Sequence, residues 1–122
     1  MRNSRIVNLA QSLTAITSTW SPKVVAELNA IQFKLAKVHG DFVWHSHEET
    51  DEAFIVVKGA LVIEFREQSF TINEGELFVV PCGVEHITRA YEECHILIIE
   101  PRGVVNTGET SSPLTAPLDQ WI

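Results

Sequence analysis

From Val24 to Glu100 the chain runs through short apolar segments separated by turn-forming residues, and this cadence constrains the fold more than any other feature. The segments are 24–28, 31–38, 42–47, 53–57, 60–65, 69–72, 77–80, 85–90 and 95–100. The breaks include His39-Gly40-Asp41, Lys58-Gly59, Asn73-Glu74-Gly75 and Pro81-Cys82-Gly83. Runs of this length, rich in Val, Ile and Phe and bounded by Gly and Pro, read as strands. Many of them in succession predict an all-β sandwich or barrel. Ahead of this region, residues 5–9 read as a short strand and residues 8–16 as a turn or two of helix, ended by Trp20-Ser21-Pro22. After it, 102–122 reads as an extended Gly-, Ser- and Pro-containing tail. Its apolar end, Leu118-Asp119-Gln120-Trp121-Ile122, is expected to dock rather than float. The expected division is an N-terminal segment 1–29, a barrel 30–101 and a tail 102–122.

With 122 residues the chain has the size of one domain. A net charge of −7 disfavours nucleic acid, whose binding needs Lys and Arg against phosphate, and disfavours an anionic membrane surface. No apolar run has membrane-spanning length, and the N-terminus lacks the apolar core of a signal peptide, so a cytoplasmic location is expected. Cys82 and Cys94 form no Cys-x-x-Cys pair and are read as two reduced thiols.

Against this background stand His45, His47, Glu52 and His86. Side chains alternate faces along a strand, so His45 and His47 point the same way and can hold one ion. Among the nearby carboxylates Glu48, Glu49, Asp51 and Glu52, the last opens an apolar run and is the preferred ligand. Three imidazoles and one carboxylate suit a divalent transition metal (Fe, Mn, Zn, Ni or Cu) better than Ca or Mg.

These residues also carry a family resemblance. Gly40, His45, His47, Glu52 and Gly59 follow the first motif of the cupins, and Gly75, Pro81, Gly83 and His86 follow the second. The spacer from Gly40 to His45 is one residue short, and Ala90 stands where the second motif often has Asn. The chain therefore resembles a small single-domain cupin, similar to the metal-binding part of mannose-6-phosphate isomerase-like proteins, over about residues 30–101. The resemblance implies a jelly-roll β-barrel, the four-residue metal site and a homodimer in which the N-terminal segment is exchanged. It names no reaction, because one fold hosts many functions.

Alternation gives an expected pocket of Phe33, Leu35, Val43, Phe54, Val56 and Thr88, with Lys37 the one inward cation and Leu61 and Ile63 as core. Such an apolar wall around a His-rich metal site favours a metal-dependent enzyme acting on a small molecule, an oxygenase first. A sugar or sugar-phosphate isomerase, or a non-catalytic binder of metal and small molecule, are the alternatives. The sequence shows no nucleophile–base arrangement that would name catalytic residues.

Overall fold

The computed structural model describes residues 5–122. One short helix, α1 (Leu9–Leu13), precedes seven strands: β1 (Lys23–Leu28), β2 (Ile31–Asp41), β3 (Glu52–Lys58), β4 (Ala60–Phe65), β5 (Ser69–Asn73), β6 (Leu77–Val80) and β7 (His86–Pro101). All pairings between named strands are antiparallel. The helix starts where the Asn8 side chain accepts a hydrogen bond from the Gln11 amide, a standard N-cap.

Topology follows from β7. One of its edges pairs with β2 from Asp41↔Arg89 to Ile31↔Pro101. Its other edge serves two partners in turn. The first half pairs with β4 (Phe65↔His86 to Val62↔Arg89), and the second half pairs with β3 (Lys58↔His95 to Ala53↔Ile99). With β1 outside β2, β6 outside β3 and β5 outside β4, the sheet folds over on itself as a jelly roll. Gly59, between β3 and β4, has φ +88°, and an added Cβ would lie 3.2 Å from the Glu93 carbonyl, so both its backbone and its space require glycine.

Two apolar clusters result. The barrel interior holds Ala36, Val38, Phe54, Val56, Leu61, Ile63, Ile96 and Ile98. A second cluster lies under α1, where Leu13 and Ile16 meet Val25 and Leu35, with Phe33, Leu97 and Ile122 against them. The tail does dock: Val24 donates to the Gln120 carbonyl, and Ile122 donates to the Val24 carbonyl.

Several expectations from sequence need correction. Residues 5–8 are not a strand, and α1 begins at Leu9. Residues 42–47 are not a strand either; their one ladder contact is an isolated bridge between His45 and His86. The two segments 85–90 and 95–100 are one strand, because the polar stretch Tyr91-Glu92-Glu93 continues β7 on an exposed face instead of turning. On β2 the predicted facing is inverted. Phe33 and Leu35 belong to the cluster under α1, whereas Ala36 and Val38 enter the barrel. The inward cation is therefore buried Lys34, while Lys37 lies beside α1 near Leu13 and Thr14. Both faces of this strand are covered, so apolar residues occupy both and period-two patterning carries no direction.

Candidate metal centre

His45 and His86 face each other across a small antiparallel bridge in which each backbone amide donates to the other's carbonyl, at 3.0 and 2.9 Å. His47 is held one step further on, where its carbonyl accepts from the Gly83 amide at 2.8 Å. Glu52 is the first residue of β3, opposite Val80 of β6. All four side chains are buried, and each contributes a donor atom within 4.8 Å of the others. The structure thus brings together the four residues singled out by their spacing. Glu48, Glu49 and Asp51 stay on the exposed loop, with Glu48 accepting from the Ser46 hydroxyl and Asp51 from the Cys82 amide.

Two of the imidazoles have their tautomer set by the backbone. Nδ1 of His45 donates to the Val43 carbonyl at 2.8 Å, and Nδ1 of His86 donates to the Val84 carbonyl at 2.9 Å. In the neutral ring this leaves Nε2 as the lone-pair donor, the form a metal requires. Burial first, and the adjacent His86 second, push the His45 imidazole down to about 4, so it stays neutral near pH 7. Burial works against the Glu52 carboxylate. The His47 and His86 rings, 3.4 and 3.8 Å from its Oε1, and the Glu100 carboxyl outweigh this and hold it below the ordinary carboxylate range.

Neither ring approach to Oε1 has hydrogen-bond geometry. His47 Nε2, His86 Nε2 and Glu52 Oε1 are buried without a hydrogen-bond partner. Three orphaned polar atoms in one place are costly unless a further group satisfies them. Two imidazole nitrogens and a carboxylate oxygen converge on one buried point, a donor set that fits a cation.

Behind Glu52 lies a feature the sequence reading missed. Glu100, buried on β7, interacts electrostatically with Glu52 and sits 3.8 Å from Lys34 Nζ on β2. Burial first, and the Glu52 charge second, push the Glu100 carboxyl well above the ordinary carboxylate range. The one visible signal was a carboxylate closing an otherwise apolar run.

Beside the cluster is an apolar cavity of about 30 Å³. Ala36, Val38, Phe54, Ile96 and Ile98 wall it, Thr88 and Asn106 add polar atoms, and His45 and Glu52 reach it. Trp20 and Phe42 stack at its side with ring centroids 4.7 Å apart. Of the expected pocket, Phe54 and Thr88 line this cavity. Phe33 and Leu35 are on the wrong face, Val56 packs in the core without lining it, and Val43 contributes its carbonyl to His45 instead of a wall.

Comparison with known proteins agrees with this geometry. The cupin domain family matches residues 33–100, more than half of the chain. The chain belongs to the cupin family. This cupin is 52% identical to a cupin-2 domain-containing protein of Shewanella frigidimarina, whose crystal structure superposes with a TM-score of 0.79 over 80% of this chain and 95% of the other. It is 37% identical to the protein NMB1881 of Neisseria meningitidis, with a TM-score of 0.73 over 80% of this chain and 99% of that one. It is 29% identical to the uncharacterized protein YdbB of Bacillus subtilis over 80% of this chain and 87% of YdbB. No helix among the described residues is long and apolar enough to cross a membrane.

Proposed function

We propose that this cupin binds one divalent transition metal through His45, His47, Glu52 and His86 and uses it on a small, largely apolar or aromatic molecule bearing oxygen donors. The observation that carries the reading is the buried, unpartnered trio His47 Nε2, His86 Nε2 and Glu52 Oε1. A bound metal with open positions would supply Lewis acidity or oxygen chemistry to such a ligand. The chain's own residues set the selectivity. The apolar cavity wall favours an apolar ligand, and Thr88 and Asn106 offer the few hydrogen bonds. A volume of about 30 Å³ holds roughly one water, so a larger ligand requires Trp20 or Phe42 to move aside.

An oxygenase-type enzyme is the reading we favour over a sugar-phosphate isomerase. Lys34, the cation on the inner face of β2, is committed to Glu100 and does not line the cavity, so a phosphate finds no free partner there. The sparse polar lining favours, as second reading, a non-catalytic holder of metal and ligand.

Elemental analysis of protein purified without added metal tests the first claim. Near-stoichiometric metal is expected, and the His47→Ala, His86→Ala double variant should lose nearly all of it while remaining folded. Full occupancy in that variant would refute the ligand assignment. Oxygen uptake with aromatic or aliphatic oxygen chelators separates enzyme from binder. A melting shift with sugar phosphates alone would replace the oxygenase reading by the isomerase one.

We also infer a homodimer that exchanges the N-terminal segment, with β1 pairing a partner's β2 in the register seen within the chain. It is supported by the limited core of a short chain and by exposed Leu77 and Val79 on the edge strand β6. Sedimentation at micromolar concentration should give twice the 13.7 kDa chain mass, and a clean monomer removes the idea.

A further inference from the structure

His45 and His47 lie in chain that lacks a strand neighbour along most of its length. Something else has to fix their backbone, and the structure supplies it from the far end of the sequence. The loop 105–116 knits itself together. Asn106 donates from Nδ2 to the Leu114 carbonyl and accepts the Ala116 amide at Oδ1, while the Thr107 and Thr115 hydroxyls share a hydrogen bond of 2.7 Å. Thr107 is completely buried. The tail is anchored on either side of this loop, at Arg102 to Glu27 and at Gln120 and Ile122 to Val24.

Between these anchors the loop crosses the ligand segment at van der Waals distance. Gly108 lies so close to Ser46, the residue between the two histidines, that an ideal Cβ would sit 2.2 Å from the Ser46 carbonyl oxygen. Two residues on, the Thr110 hydroxyl donates to the Trp44 carbonyl at 3.1 Å, just before His45. Asn106 of the same loop lines the cavity together with His45 and Glu52. The tail occupies the place that a neighbouring strand would fill, and it does so with one glycine contact and one hydroxyl.

We propose that the C-terminal loop is a positioning element of the metal site, with Gly108 and Thr110 holding the backbone of residues 44–46 so that His45 and His47 meet His86 and Glu52 at ligand distance. The inference rests on the metal reading above. Outer groups that orient ligands typically change metal affinity by about 10- to 100-fold when lost, and that is the range expected here.

The design includes an internal control. Gly103 shares the left-handed backbone (φ +87°, against +60° for Gly108), but an added Cβ there meets nothing within 4 Å. Both substitutions put a side chain on left-handed backbone, with Gly103 further from the region L residues adopt, and only Gly108→Ala pushes on Ser46. Metal affinity should be measured by competition with a chromophoric chelator, alongside the melting temperature of the metal-free protein. Gly108→Ala is expected to weaken binding about 10-fold or more, with Gly103→Ala close to the parent. Should Gly108→Ala fail to fold, the pair Thr110→Val and Thr110→Ser decides the matter. Valine should weaken the metal without lowering the metal-free melting temperature to match, and serine, which keeps the hydroxyl, should restore it. A purely structural role would lower the metal-free melting temperature and leave affinity alone. If the parent binds metal and Gly108→Ala (or, in its place, Thr110→Val) binds it as tightly, the positioning role is overturned and the metal reading stands. If the parent takes up no transition metal, the metal reading itself falls, and this inference with it.

Discussion

His86 opens a strand of 16 residues that is bonded to β4 on one edge, whereas His45 and His47 sit in irregular chain that makes one bridge and leans on loops. Both stretches deliver buried imidazoles to the same place. The first is held by the sheet ladder, whose many hydrogen bonds open together. The second is held by single contacts: Gly83 to His47, Thr110 to Trp44, Gly108 against Ser46. Two residues of the cluster, His86 and Glu52, thus belong to strands, and two, His45 and His47, belong to an irregular segment held by loop contacts. That split accords with the general tendency of binding sites to combine a rigid frame with less stable loops.

Three measurements can break or sharpen the contrast. The largest effect concerns the two thiols, one in each setting. Cys94 is buried in β7, and burial, then the nearby Glu74 charge, pushes its thiol up to about 11. At pH 7 only about one part in ten thousand would be thiolate. Cys82 is exposed in the turn before His86. Alkylation followed by mass spectrometry should mark Cys82 fully and Cys94 only after unfolding. Equal labelling would mean that β7 opens as readily as the turn.

Next in size is truncation within the ladder. Ile96, opposite both Ala36 and Val56, is buried, and Ile96→Ala should cost about 2–5 kcal/mol in urea unfolding. The smallest effect belongs to the loop side. Asp51→Ala removes the carboxylate that accepts the Cys82 amide and ties the ligand loop to the following turn, at a cost of about 1 kcal/mol. Should Asp51→Ala cost as much as Ile96→Ala, the loops would be as much a part of the frame as the sheet.

The same contrast explains what could be read from the sequence. The all-β class was legible because turn residues are local signals, and the jelly roll and the grouping of His45, His47, Glu52 and His86 were legible through the motifs that carry the family resemblance. Facing on β2 was not. Gln32 and Lys34 look like an outward polar row, yet both are buried, paired with Glu27 and Asp119 in one case and with Glu100 in the other. Polar residues satisfied by partners distant in sequence defeat alternation. Tyr91-Glu92-Glu93 looked like a break because an exposed stretch of strand has the composition of a turn. The contact of Gly108 with Ser46 left no trace in either segment, since nothing near a glycine reports what will press against it.

The placement of β7 also sets the order in which this chain can acquire its shape. During synthesis β1 with β2, β4 with β5, and β3 with β6 can pair as each emerges, but every larger assembly needs β7, the last strand made. Its partners lie far back along the sequence, as in Ile31↔Pro101 and Phe33↔Ile99. Such distant contacts bring a high closure cost and slow folding. The strand order therefore predicts that the nascent chain holds separate strand pairs with open edges until β7 is available, with barrel closure as a late step. During that interval the unpaired edges are the points at which a chaperone would have to act.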